Sequence, residues 1–94
     1  MEDPSRAVRM QCNSLATVKI RGAVWKVHVG EISIYGCSVG GTGLPFRQGE
    51  VIKMAIGSLA PIPGRVVQAS FHVVGIEFDA PQHPSVAEHI ATSH

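Results

Sequence analysis

The sequence predicts an all-β domain, six short antiparallel strands arranged as a barrel or a sandwich, followed by a short C-terminal helix. Three observations lead there. Six runs of alternating apolar and polar residues fall within about 65 residues, the period of half-buried strands. Ten glycines and six prolines are spread along the 94 residues, which suits short strands and turns better than a helical bundle. No window shows a 3.6-residue period until Pro84.

The elements follow in order. Residues 1–13 have no period of either kind and read as a charged arm. From Leu15 to Arg21, Ala16, Val18 and Ile20 alternate with Thr17, Lys19 and Arg21. Arg21-Gly22 supplies a turn into a second strand, where Trp25, Val27 and Val29 oppose Val24, Lys26 and His28, making a hairpin. Trp25 is expected in the core because it shares a face with the two valines. Gly30 interrupts this run. In the next, Ile32 and Ile34 oppose Glu31, Ser33 and Tyr35, and Gly36 is expected to supply a bulge or a left-handed backbone position. Residues 39–43 are glycine-rich enough to read as a loop. A fourth strand sets Ile52, Met54 and Ile56 against Val51, Lys53 and Ala55. Residues 57–63 form a proline-punctuated connection, a fifth strand covers 65–70, and in a sixth Val74, Ile76 and Phe78 oppose Val73, Gly75 and Glu77. Pro84 sits at a first helical position, with Val86 and Ile90 on one face of a one- to two-turn helix. The chain therefore divides into an arginine-bearing arm at 1–13, a barrel at about 14–80 and a tail at 81–94, all one domain.

Composition narrows the function classes. The net charge of +1 excludes a general polyanion binder. Residues 1–26 hold five basic against two acidic residues, +3, and residues 27–94 three against five, −2. A basic first quarter on a near-neutral body points to a local anion site. No apolar run approaches 18 residues, so no membrane contact is expected. The acidic opening Met-Glu-Asp-Pro does not read as a secretory signal. Cys12 and Cys37 are accordingly expected as reduced thiols in a cytoplasmic protein.

Polar chemistry is concentrated in Glu31-Ile-Ser33-Ile-Tyr-Gly36, an acid, a hydroxyl and a glycine at fixed offsets within a strand-like run. Together with Arg6 and Arg9 it forms the candidate ligand site. The plainer alternative is a solvated arm beside the outer face of an amphipathic strand. No phosphate loop of the G-x-x-x-x-G-K-[ST] type follows the glycines of 40–43. Neither a G-x-S-x-G nor an H-E-x-x-H pattern occurs, and no His or Asp is placed to activate Ser33 or Cys37, so catalysis is not expected. The spacings of His83, His89 and His94 suit no metal-ligand pattern, and no cofactor is expected.

The order of these features resembles the PilZ domain, a six-stranded split barrel found in bacterial receptors for cyclic di-GMP. The features are the arginine pair, the hairpin, the element from Glu31 to Gly36, Gln48-Gly49-Glu50-Val51, Gly64-Arg65-Val66 and Gly75-Ile76-Glu77-Phe78. The resemblance covers roughly residues 5 to 80. It implies a ligand set of R-x-x-x-R in the N-terminal arm and D/N-x-S-x-x-G about twenty residues later. Arg9 precedes Glu31 by 22 residues and takes the place of the second arginine. The first would fall on Ser5, so Arg6 stands one residue closer. Ser33 and Gly36 match, and Glu31 replaces Asp or Asn.

The chemistry fits such a ligand. A guanidinium offers paired donors to phosphate oxygens or to guanine O6 and N7. A carboxylate suits the guanine N1 and N2 donors, and a glycine lets backbone approach a flat base. The resemblance thus implies a cyclic di-GMP receptor domain that passes its signal to an effector protein in trans. The alternative is a degenerate domain of this type that has lost the nucleotide and acts through protein contacts. A single-stranded nucleic-acid barrel is disfavoured, because five aromatics do not interleave with the basic residues and no nucleic-acid polymer is expected as partner.

Overall fold

The computed structural model describes residues 8–41 and 43–92. Among them are six strands, β1 (Met10–Ile20), β2 (Ala23–Ile32), β3 (Gly36–Gly40), β4 (Val51–Ala55), β5 (Ile62–Ala69) and β6 (Val73–Phe78), and a helix, α1 (Pro84–Thr92). The strands pair in the order β1-β2-β3-β6-β5-β4, and β4 returns to β1, closing an antiparallel barrel. Every described strand thus has a strand neighbour on both sides, with β1 and β4 meeting over Thr17–Lys19.

The alternating residues fill the interior as their period requires. Ala16, Val18 and Ile20 meet Val27, Val29, Ile52, Met54, Ile56, Val74, Ile76 and Phe78 in one core. Each such side chain moved out of water contributes about 1.5–3 kcal/mol. Arg21 and Gly22 both have positive φ, 50° and 80°, the backbone of a tight type I′ hairpin turn. Arg21 is held there by Glu50 at 3.1 Å and by the Pro45 carbonyl at 3.1 Å.

Several sequence expectations are corrected. Strand β1 begins at Met10, inside the segment read as an arm. A bulge between Gln11 and Ser14 breaks the alternation there and hides the strand from a period count. The run read as a strand over 31–35 is the end of β2 followed by a tight turn. Ile32 and Ser33 are both buried, which strict alternation forbids. Val39 and Gly40, read as loop, belong to β3. Strand β5 starts at Ile62, so the connection before it is shorter than 57–63, and α1 reaches nine residues. Gly36 has neither positive φ nor a bulge; the bulge on that pair lies between Val29 and Glu31. Its reason is close approach, since a Cβ would collide with the Ile76 carbonyl oxygen on β6. Trp25 points to the side predicted but is 38% exposed. Its cross-strand neighbour Val18 is fully buried, so Trp25 stands at the barrel rim and not in the core.

Helix α1 packs on β1 and β2 and adds Ala87 and Ile90 to the core. Its last carbonyls have no helical partners and are met by side chains. Ser14 Oγ, buried in β1, donates to the Ile90 carbonyl at 2.5 Å. Thr92 Oγ1 lies 3.0 Å from the Glu88 carbonyl and 3.2 Å from that of His89. No described helix is long and apolar enough to cross a membrane.

Candidate functional site

An open groove of about 320 Å³ lies where β2 ends and β3 begins. Four of the five residues expected at the site line it: Arg9, Glu31, Ser33 and Gly36. Arg6 lies outside the described residues.

The hairpin register explains the meeting of arm and strand. Gln11 is the direct partner of Glu31 across β1–β2, and Met10 is that of Ile32, so Arg9 emerges beside the carboxylate. Arg9 Nη1 lies 3.5 Å from Glu31 Oε1, and Gln11 Nε2 donates to Glu31 Oε2 at 3.4 Å. Both oxygens of Glu31 thus have a partner within the protein. The Arg9 side chain is 63% exposed, so this ion pair is a weak one, about 0–1 kcal/mol.

Ser33 shapes the turn that joins β2 to β3. Its backbone N–H donates to the Gly36 carbonyl at 2.8 Å, closing a turn with Ile34 and Tyr35 at the tip. Its hydroxyl accepts from the Tyr35 N–H at 3.2 Å and lies 3.4 Å from the same Gly36 carbonyl. The tip carbonyls are held from outside: Ile34 accepts from the Gln82 N–H at 2.7 Å and Tyr35 from the Phe78 N–H at 2.8 Å. The turn is therefore fixed before any ligand arrives, and Ser33 acts on the groove mainly through backbone shape.

The opposite wall was not found from the sequence. Gln68 and Gly75, direct partners across β5–β6, line it with Val67 and Glu77. Val67 is the extra residue of a β5 bulge between Val66 and Gln68. Its side chain is 42% exposed, and the one signal in the sequence is an apolar residue at the outward position after Val66. Tyr35, read as solvent-facing, is half-buried and also lines the groove.

The thiols are unsuited to nucleophilic chemistry. Burial pushes Cys37 up to about 12, with a smaller contribution from Cys12. Cys12 is also raised, first by burial and less by the Glu31 charge, against a lowering hydrogen bond from the Ser14 backbone. Both cysteines are free thiols. Among the described residues no group of three or more His, Cys, Asp or Glu side chains is placed to hold a metal ion.

A closed six-stranded barrel with a basic approach and a glycine-based turn beside its groove agrees with one family in particular. The PilZ domain profile matches residues 4–92, nearly the whole chain. The chain belongs to the PilZ domain family. PilZ domains are cyclic di-GMP receptor and adaptor domains, binding modules and not catalysts. Among curated proteins nothing matches the chain.

Proposed function

We propose that this PilZ domain binds cyclic di-GMP in the groove and acts as a cytoplasmic receptor in bacterial second-messenger signalling, relaying occupancy to an effector protein. The observation that carries the reading is the convergence of Arg9, Glu31, Ser33 and Gly36 on one groove from two sequence segments 22 residues apart. Arg9 would serve phosphate or the guanine O6/N7 edge, and Glu31 the guanine N1 and N2 donors. Gly36 keeps the floor flat. Arg6, three residues before Arg9 in the sequence, would be the second cation for the same ligand.

Magnitudes favour occupancy over self-pairing. Binding must give up an exposed Arg9–Glu31 pair worth about 0–1 kcal/mol, while one bidentate arginine–guanine contact returns about 1–3 kcal/mol. The groove is at the small end for ligand sites, so it takes one guanine and its phosphate and leaves the other half over the open side.

A second reading has its own support. Both Glu31 oxygens and the Ser33 hydroxyl already have protein partners, as expected of a PilZ adaptor that no longer uses nucleotide. Calorimetric titration with cyclic di-GMP, with Arg9→Ala as control, separates the two. Receptor function predicts saturable binding that weakens roughly five- to 150-fold in the variant. Silence at about 100 µM ligand, where even weak specific sites fill, would leave the adaptor. Binding unaffected by Arg9→Ala would put the site elsewhere.

A further inference from the structure

On the outer face of the barrel, away from the groove, β4, β1 and β2 present three lysines and no carboxylate. Lys19 stands directly opposite Lys53 across the β1–β4 pair and opposite Val24 across β1–β2. Lys26, opposite Thr17, is the diagonal neighbour of Lys19. All three are exposed, and none makes an ion pair among the described residues. Like charges set directly opposite one another across a strand pair destabilise a sheet. Glu50, the nearest acid in sequence to β4, is already engaged by Arg21. Folding therefore gains nothing from this arrangement.

The same face is apolar between its charges. Leu15 and Val24 are 65% and 63% exposed. A shallow depression of about 310 Å³ opens among Leu15, Thr17, Lys26, Ala55 and Gly57. Its floor is made of small side chains, its walls of a leucine and a lysine stem. Such a hollow seats an aliphatic side chain and gives a nucleobase nothing to stack on. Because Thr17–Lys19 of β1 are already paired with Lys53–Ala55 of β4, a partner at this part of the face lies across the side chains.

We infer that the β4–β1–β2 face docks an acidic amphipathic segment of a partner protein, with an aliphatic anchor in the Leu15–Gly57 depression and carboxylates over Lys19, Lys26 and Lys53. The inference stands apart from the groove: it holds whether or not cyclic di-GMP binds there.

The test uses the isotope-labelled chain and a synthetic amphipathic helix with glutamates on one face and leucines on the other. Saturable amide shifts are expected at Thr17, Lys19, Lys26 and Lys53. Affinity should fall by about tenfold or more when glutamines replace the glutamates, and similarly in a Lys19→Glu variant. The same variant sets a carboxylate opposite Lys53, so its melting temperature holds or rises by a few degrees, which separates lost docking from lost folding. A lower melting temperature would remove the argument that the lysine pair is strained. Equal affinity for the glutamine peptide, or no shifts on this face, overturns the proposal. So does tighter engagement of the same amides by vesicles of equal phosphatidylglycerol and phosphatidylcholine, or by oligothymidylate.

Discussion

Arg9 and Glu31, 22 residues apart in the chain, face each other at 3.5 Å across the mouth of the groove. The pair closes on itself the two charges that the proposed ligand would use. Its length is near the limit for a hydrogen bond, and its partners are solvated, so it is a latch of low strength.

Shortening the acid should open that latch. In Glu31→Asp the carboxylate retracts by one methylene from both Arg9 and Gln11, freeing Arg9 for ligand. Cyclic di-GMP should then bind up to about fivefold more tightly, the equivalent of a surface ion pair. Calorimetry on the two proteins decides it; weaker binding in the variant would mean that the longer carboxylate is itself the better ligand contact.

Two glycines near the groove should respond oppositely to the same change. Gly36→Ala drives a methyl group into the Ile76 carbonyl oxygen and forces β3 away from β6. A loss of about 1–3 kcal/mol or more is expected, read as a lower urea midpoint. At Gly30 a Cβ meets nothing within 4 Å and φ is not positive, so Gly30→Ala should be neutral or gain about 0.4–1 kcal/mol. Equal behaviour of the two would refute the close-approach account.

Ser14→Ala removes the buried hydroxyl that caps the Ile90 carbonyl. The orphaned acceptor should cost about 1–3 kcal/mol, with the amides of α1 losing protection against hydrogen exchange before those of the barrel. Uniform loss of protection would show that helix and barrel open as one unit.

Cys37 gives stability a pH dependence at the alkaline end. Its thiol is raised in the folded protein to about 12 from an ordinary value of 9.0, so the native state keeps a proton that the unfolded chain releases. Stability from this group is fully present below pH 9 and declines as pH rises toward 12, at up to about 1.4 kcal/mol per pH unit. Urea unfolding between pH 8 and 10.5 should show a steeper decline for the native sequence than for Cys37→Ala. Parallel curves would mean that the thiol is not the source.

The sequence showed much of the barrel because most strands bury one face without interruption. Ile52 and Met54 on β4, with Ile56 just past its end, and Val74, Ile76 and Phe78 on β6 are buried as the alternation required. Failures came where the chain departs from an even ladder. Cys12 and Asn13 sit in a bulge that masks the start of β1, and Gly40 looks like loop until β2 and β6 are seen on either side of it. Trp25 shows a further limit: a period gives the face of a residue but not its depth along the barrel. At the site, Arg9, Glu31, Ser33 and Gly36 were readable because charge, hydroxyl and glycine stand out at fixed offsets. Gln68 and Gly75 were not, because only the β5–β6 register brings them opposite that motif.

Ser14 and Ile90 are 76 residues apart, and the strand that holds Ser14 needs β4 on one side and α1 at its end. During synthesis β1 emerges before the other described strands of the barrel, yet it waits longest for its full set of neighbours. The hairpin with β2 can form early, since its loop is two residues, but barrel closure must await β4 and the seal must await the helix. Long-range closure of this kind slows folding. Until it occurs, the outer edge of β1 is an open template for pairing with another nascent copy.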